Sequence, residues 1–359
     1  MSQAETIYPV FDGHNDTITR LREIGGSFFE ENDAFHITLP LARQGHMIGG
    51  FFAIWIPSPE EPPISPDNDA DHVPDMYNSV ETRPPMMGTA YAQHYALSSL
   101  GKLHQLAAAS AGQVRIVTTV AELEQAIADG VLAVEVHMEG AEPLDADLDS
   151  LDAFYAAGLR SIGPVWSRAN LFGDGVPFAF PGSPDSGPGL SEAGKRLVQR
   201  CNDLGIMLDV AHLNEKGFWD IAAISKHPIV GTHNGAWSVS PSPRNLTDKQ
   251  LDAIKDSNGL VGINFHVGFL NPLGDGATAE NTPLTFIADH LDYIANRIGI
   301  DKVALGSDFD GARMPGDLVN AGGLPKLMAE LKRRGYDDEN LAQIGYKNWI
   351  RIFRETWVA

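Results

Sequence analysis

The stretch YPVFDGHNDTITR, residues 8–20, begins as a buried β-strand and then turns polar. Its first half is apolar, but Asp12, His14 and Asp16 follow at every second position. Because side chains alternate along a strand, His14 and Asp16 lie on one face and can reach one ion. Asp12 can cap the turn or orient a ligand from behind, and we favour the second role.

Seven other apolar runs have the length of a strand. With the first, the predicted strands cover residues 7–12, 47–56, 132–138, 159–166, 205–212, 227–233, 259–265 and 302–309. Amphipathic segments alternate with them, and predicted helices cover residues 118–130, 190–205, 214–224, 246–259, 283–299 and 324–335. Capping boxes of Thr119 with Glu122 and of Thr247 with Gln250 begin two of these helices. Alternating strands and helices favour a parallel sheet, and eight strands close a barrel. The sequence therefore predicts an α/β fold, a TIM-like (β/α)8 barrel, as a single domain over residues 1–359.

Two long segments interrupt this alternation. Residues 57–85 and 173–189 are rich in Pro, Gly and Asp, and each directly follows a predicted strand. In a barrel, a loop that follows a strand lies at the C-terminal face, where active sites are built. Both loops can therefore cover a pocket, although the first is equally typical of a disordered insertion.

Composition excludes several classes of function. The formal net charge is −21, whereas nucleic-acid binding needs clustered Lys and Arg, so we expect no nucleic-acid partner. The N-terminal residues do not form a signal peptide, and no apolar run is long enough to span a membrane. Cys201 is the single cysteine and lies at helical spacing with apolar residues, so we expect it in the core. A single cysteine excludes an intramolecular disulfide and a thiolate metal site, and it favours a cytoplasmic location.

Residues that bind metals or move protons stand at the ends of most predicted strands. The set beyond the first strand is Glu139, His212, His233, Asn264, His266 and Asp308. A lone histidine is more often an ordinary surface or core residue, but His14, His212 and His233 fall at the same end of three separate strands. Three histidines with three carboxylates exceed the needs of one tetrahedral site. The surplus suggests two divalent metals that share a carboxylate.

Five short motifs together resemble one known family. They are DGHND at 12–16, MEGAEPL at 138–144, LDVAHLN at 208–214, GTHNGAWSVSPSPRN at 231–245 and GSDFDG at 306–311. In this order and spacing they are similar to the membrane dipeptidase, or renal dipeptidase, family of amidohydrolase-like hydrolases. The resemblance implies a TIM-like barrel with two zinc ions per chain.

The resemblance also implies which residues hold the metals. His14, Asp16 and Glu139 would bind one zinc ion. Glu139 would bridge to a second zinc ion, which His212 and His233 would hold.

Three further roles follow from the resemblance. Asp308 matches the carboxylate that takes a proton from the bridging water and passes it to the leaving amine. Arg244 matches the arginine that binds the free carboxylate of the dipeptide, and Asn264 would contribute at the pocket.

The chain departs from the family after the fourth predicted strand. Many relatives have a histidine there, whereas this chain has Trp166. Trp166 either closes the top of the barrel or forms an aromatic wall against the substrate. One donor to the developing oxyanion is then missing, unless Arg168, Asn170 or His266 replaces it.

These features together predict a zinc-dependent dipeptidase in which a metal-bridging hydroxide attacks the peptide bond of a small dipeptide. A second hypothesis keeps the metals and changes the substrate to another small amide, such as an N-acyl amino acid or a cyclic amide. A third is a barrel that binds a small molecule without catalysis. The expected partner is a small dipeptide, with no membrane attachment, and a homodimer is compatible with the sequence.

Overall fold

The computed structural model describes residues 7–59 and 75–358, within which nine strands alternate with helices. The strands are β1 Val10–Asn15, β2 Met47–Trp55, β3 Val114–Ile116, β4 Leu132–Glu139, β5 Leu159–Gly163, β6 Met207–Leu208, β7 Val230–Asn234, β8 Leu260–Ile263 and β9 Val303–Leu305. The α-helices are α1 Thr17–Ile24, α2 Leu39–Gln44, α3 Thr89–Ala109, α4 Val120–Ala128, α5 Asp149–Ala156, α6 Glu192–Leu204, α7 Glu215–Ile224, α8 Asp248–Asp256, α9 Val267–Leu270, α10 Thr285–Ile298, α11 Leu324–Arg333, α12 Asp338–Ala342 and α13 Asn348–Thr356.

Eight of these strands form a closed parallel ring. Strands β1, β2, β4, β5 and β6 pair in that order, and β7, β8 and β9 form a second run. The two runs join where Asp209 bridges to Val230 and where Asn15 bridges to Phe309. The amide of Asp16 donates to the Phe309 carbonyl at 2.8 Å across the second junction. The predicted TIM-like barrel is confirmed, and its eight strands are those that the sequence predicts.

Eight elements were not predicted from the sequence, namely strand β3 and helices α1, α2, α3, α5, α9, α12 and α13. The short strand β3 pairs with the first half of β4, outside the ring, with Val114 opposite Leu132. Helix α3 runs for 21 residues, and its buried face includes alanine and serine as well as leucine. That mixture weakens the apolar periodicity by which a helix is recognised in sequence.

Helix α13 closes the N-terminal end of the ring. The fully buried indole of Trp349 fills the space beside Gly13 and Gly262. A Cβ atom on these glycines would lie 2.4 Å and 3.1 Å from that ring, so neither position has room for a side chain. The opposite, C-terminal end of the ring is where the strand-end residues collect.

The predicted helix signals are found where expected, with one difference. Thr247 and Gln250 form a complete capping box at α8. Thr119 accepts from the Glu122 amide, but the Glu122 carboxylate accepts from the amide and hydroxyl of Thr118. Cys201 is buried on the apolar face of α6, as predicted.

The loop after β5 lies across the C-terminal end of the ring. Its Val176 amide donates to the His212 carbonyl at 2.8 Å, and its Phe178 amide donates to the Tyr77 carbonyl at 3.0 Å. Tyr77 belongs to the described end of the other predicted loop, of which residues 60–74 lie outside the described residues. Over the described ranges, no helix is long and apolar enough to cross a membrane.

Candidate metal centre

Six strand-end residues meet at the carboxyl end of the ring. Their ligand atoms form three groups, within each of which all atoms lie within 4.8 Å of one another. The groups are His14 with Asp16 and Glu139, Glu139 with His212 and His233, and His14 with His233 and Asp308. Because parallel strands present their carboxyl ends at one face, residues far apart in sequence converge there.

The two oxygens of Glu139 face different partners. Oε1 lies 2.9 Å from His212 Nε2 and 3.5 Å from His233 Nε2. Oε2 lies 3.7 Å from His14 Nε2, and that nitrogen lies 3.5 Å from Asp16 Oδ2. A carboxylate placed between two groups of ligands has the geometry of a bridge.

The unpaired atoms at this centre fit a bound cation. Both ring nitrogens of His14 and one oxygen of Asp16 are buried and lack a hydrogen-bond partner among the described residues. His212 Nε2 lies 3.1 Å from His233 Nε2, so two nitrogen atoms face the same point. Leaving such groups buried and unpaired costs free energy, which ligation of an ion would remove. Imidazole and carboxylate donors suit zinc and neighbouring divalent metals.

The charge states of the histidines differ in the metal-free chain. Burial opposes charge on His14, but the negative charges of Glu139 and Asp16 outweigh it and raise the pKa of His14 to about 10. Burial lowers the pKa values of His212 and His233 well below the usual value for histidine. His212 and His233 are therefore neutral, as metal ligands must be.

Two residues at this centre have a strained backbone conformation. His212 and Asp308 both have a φ of 64°, in the left-handed region that residues other than glycine rarely adopt. Such strain costs about 1–3 kcal/mol per residue and collects at functional sites. Gly311 lies against the carboxylates of Asp16 and Asp308. A Cβ atom at this position would lie 2.0 Å from Asp16 Oδ2.

Asp308 and Arg244 lie beside the metal ligands. Asn264 Nδ2 donates to Asp308 Oδ2 at 2.8 Å, which holds that carboxylate in place. The guanidinium of Arg244 is buried and donates to the His233 carbonyl at 3.3 Å, while its Nε lacks a partner among the described residues. Burial lowers the pKa of Arg244 to about 10, and the charges of Asp308 and Glu139 partly offset that effect.

Aromatic rings line the side of the centre next to His212. The ring of Trp166 lies 5.7 Å from the His212 ring, 4.8 Å from Tyr77, 5.5 Å from Phe178 and 5.3 Å from Trp55 between centroids. The four rings of Trp166, Tyr77, Phe178 and Trp55 place an apolar wall beside the metal ligands.

The three candidate oxyanion donors have structural partners. Arg168 donates from Nε to Glu142 at 2.7 Å, and Asn170 donates to the Pro164 carbonyl at 2.8 Å. His266 Nδ1 accepts from the Gly268 amide at 2.9 Å.

Three residues with supporting contacts, Ser167, Thr232 and Asp209, were not identified from the sequence. Ser167 and Thr232 place hydroxyls on the metal-centre histidines, and Asp209 accepts from Thr232. Asp12 accepts from the amide and the hydroxyl of Ser307, and within the described part of the chain no hydrogen bond joins it to a histidine ring. Asp12 therefore supports the segment just before Asp308. Only the adjacency of Ser167 and Thr232 to strand ends could have drawn attention to these contacts.

Comparison with known proteins agrees with the centre's geometry. Residues 2–358 match the model of the family described as membrane dipeptidase, peptidase family M19. The chain belongs to this family. It is therefore a metallopeptidase of the dipeptidase class, and the family resemblance seen in the motifs is confirmed.

Three relatives cover between 72% and 98% of the chain. A crystal structure of a metallopeptidase from Rhodobacter sphaeroides, bound to a phosphinate mimic of the dipeptide L-Ala-D-Ala, has 43% identity and a TM-score of 0.89, covering 98% of this chain and 99% of that one. The dipeptidase AC, a family M19 metallopeptidase, has 44% identity and a TM-score of 0.88, covering 98% of this chain and 99% of that one. A protein of Klebsiella pneumoniae described as "Uncharacterized protein in pqqA 5'region" is 49% identical, covering 72% of this chain and 94% of that protein.

Proposed function

We propose that this metallopeptidase hydrolyses small dipeptides with two zinc ions that share Glu139. The observation that carries the proposal is the position of Glu139, whose two oxygens face His14 on one side and His212 with His233 on the other. The relative from Rhodobacter sphaeroides, whose structure holds a dipeptide mimic, supports the substrate class.

The residues at the centre would divide the chemistry among them. When bound, a pair of zinc ions supplies a nucleophilic hydroxide at neutral pH and polarises the scissile carbonyl. Arg244 binds the carboxylate of the dipeptide with its planar guanidinium, and this contact places the peptide bond over the metal ligands. Asp308 accepts a proton from the attacking water and delivers it to the leaving amine. Asn264 keeps Asp308 oriented for both transfers.

The aromatic wall supports a proposed position for the rest of the substrate. Arg244 lies beside the His233 backbone, whereas Trp166 lies beside the His212 ring. A dipeptide anchored at Arg244 would therefore extend its N-terminal residue towards Trp166. This arrangement favours apolar side chains at that residue.

The Asp308→Asn variant tests the proton-transfer role. We expect it to bind as much zinc as the wild type and to lose about 10²–10⁴-fold in kcat, the usual contribution of general acid–base catalysis. Because Asp308 also groups with His14 and His233, zinc content must be measured beside the rate. Turnover at the wild-type rate would refute the assigned base, and loss of zinc would make Asp308 a ligand instead.

A substrate panel tests the class of bond. Dipeptides of L,L and L,D configuration, N-acyl amino acids and cyclic amides should be compared on zinc-loaded protein. We expect the dipeptides to have the highest kcat/KM. A higher value for the acylated or cyclic amides would favour the second hypothesis, and no hydrolysis at all would favour the non-catalytic barrel. The homodimer, the single-domain assignment and the cytoplasmic location stay predictions.

A further inference from the structure

The hydroxyl of Thr232 connects the ring of His233 to a buried carboxylate. Thr232 Oγ1 donates to Asp209 Oδ2 at 2.6 Å and lies 2.8 Å from His233 Nδ1. All three side chains are at most 1% exposed, so water does not compete for these contacts. These contacts link Asp209, which is not among the proposed metal ligands, to His233, which is one of them.

The single proton of a hydroxyl determines the tautomer of His233. Because Thr232 gives its proton to Asp209, it can only accept from His233, and Nδ1 must therefore carry a proton. The lone pair is then on Nε2, which faces Glu139 Oε1 at 3.5 Å. A metal ligand needs this tautomer and this ring orientation.

Asp209 accepts hydrogen bonds from the backbone on both sides of the junction between β6 and β7. Its Oδ1 accepts from the Thr232 amide at 2.8 Å and from the Ala211 amide at 2.9 Å. Ala211 immediately precedes His212, so one carboxylate positions the backbone before both histidines. Further titratable groups face Asp209. His137 Nε2 lies 3.6 Å from Asp209 Oδ2, and its Nδ1 pairs with Ser161 at 2.7 Å. Glu135 and His14 also interact electrostatically with Asp209.

The other histidine of the pair lacks such a connection. Ser167 Oγ lies 2.8 Å from His212 Nδ1, but no carboxylate in the described part of the chain accepts from that hydroxyl. The Ser167 hydroxyl can therefore donate or accept, and it does not select a tautomer. The two hydroxyls provide a matched comparison within one centre.

We propose that Thr232 and Asp209 are positioning residues for the metal centre, which hold His233 in its Nδ1-protonated form through a carboxylate–hydroxyl–imidazole chain. The inference rests on the proposed metal-dependent function. The negative charge of Asp209 would then support His233, a ligand that Asp209 does not itself contact. Supporting partners of this kind are typically worth about 10–100-fold in metal affinity.

Zinc affinity of the whole protein tests the inference without relying on catalysis. Wild type, Thr232→Val, Thr232→Ser and Ser167→Ala would be stripped by chelation and titrated with Zn²⁺ against a chromophoric competitor. Thr232→Val keeps the shape of the side chain and removes the hydroxyl, so we expect one of two ions to bind about 10–100-fold more weakly. Thr232→Ser keeps the hydroxyl and should bind within about threefold of wild type, while Ser167→Ala should lose less than Thr232→Val.

Asp209→Asn gives an independent measurement if Thr232→Val folds poorly. Its remaining carbonyl oxygen can still accept from the two amides, whereas the charge behind Thr232 is lost. We expect weaker zinc binding and an altered Co²⁺ absorption spectrum, because the environment of one ligand changes.

Three outcomes would overturn the inference. The first is wild-type affinity for both ions in Thr232→Val and Asp209→Asn, and the second is a loss in Thr232→Ser equal to that in Thr232→Val. The third is a loss in Ser167→Ala as large as in Thr232→Val, because a hydroxyl alone would then suffice. A wild-type protein that takes up no zinc would instead refute the proposed function, so the two failures can be told apart.

Discussion

Replacing Gly311 with alanine would disturb the metal centre by steric contact alone. The new Cβ would lie 2.0 Å from Asp16 Oδ2 and 2.9 Å from Asp308 Oδ1, whereas ordinary contact begins near 3.4 Å. The Asp16 carboxylate would therefore have to retreat by about 1.4 Å, and a misplacement of about 1 Å can cost 10²-fold in rate. We expect kcat/KM for a dipeptide to fall about 100-fold, which corresponds to about 2.7 kcal/mol in the activation barrier.

The assay would combine kcat/KM with zinc content and the unfolding temperature of the metal-free protein. The contacted carboxylates end flexible side chains, so we expect the fold to survive. Gly101→Ala is the matched control, because Gly101 lies within α3 with nothing within 4 Å of a new Cβ. It should keep full activity and gain about 0.5–1 kcal/mol in stability. Full activity in Gly311→Ala would show that the position of the Asp16 carboxylate is not required, and its role as a ligand would be wrong.

Three further perturbations test the charges and the apolar wall. Since the pKa of His14 is raised to about 10 in the metal-free chain, zinc must displace a proton from His14 near neutral pH. Zinc binding should therefore strengthen as the pH rises towards 10. Calorimetry in buffers of different ionisation enthalpy should show the release of this proton. Arg244→Met should raise KM about 10–150-fold with a smaller change in kcat, matching the loss of a charge-assisted contact of about 1.5–3 kcal/mol, and an unchanged KM would place the carboxylate elsewhere. Trp166→Ala should lower kcat/KM about tenfold more for dipeptides with a large apolar N-terminal residue than for glycyl dipeptides, because apolar contact area is lost; equal effects would remove Trp166 from that subsite.

The sequence predicts the ring better than the elements around it. Most ring strands combine a short apolar run with a polar end, and His14 and Asp16 share a face because strands have a period of two. The helical period does not reveal α3 in the sequence, because the buried face of α3 includes alanines and serines. The supporting contacts could not be predicted either. Whether Thr232 meets Asp209 depends on the junction of two strands whose pairing no local pattern specifies.

Closure of the ring has a consequence for how the chain folds. The junction of β1 with the segment after β9 joins residues almost 300 positions apart, so the entropy of a very long loop must be lost before it forms. An ion held by His14 and Glu139 would tie β1 to the middle of the chain, much as a disulfide would, in a protein whose single cysteine cannot form one internally. Since the ion would bind the closed ring and not the open chain, free metal would set the unfolding equilibrium as well as the rate of hydrolysis. Metal supply would then govern what fraction of the molecules is folded.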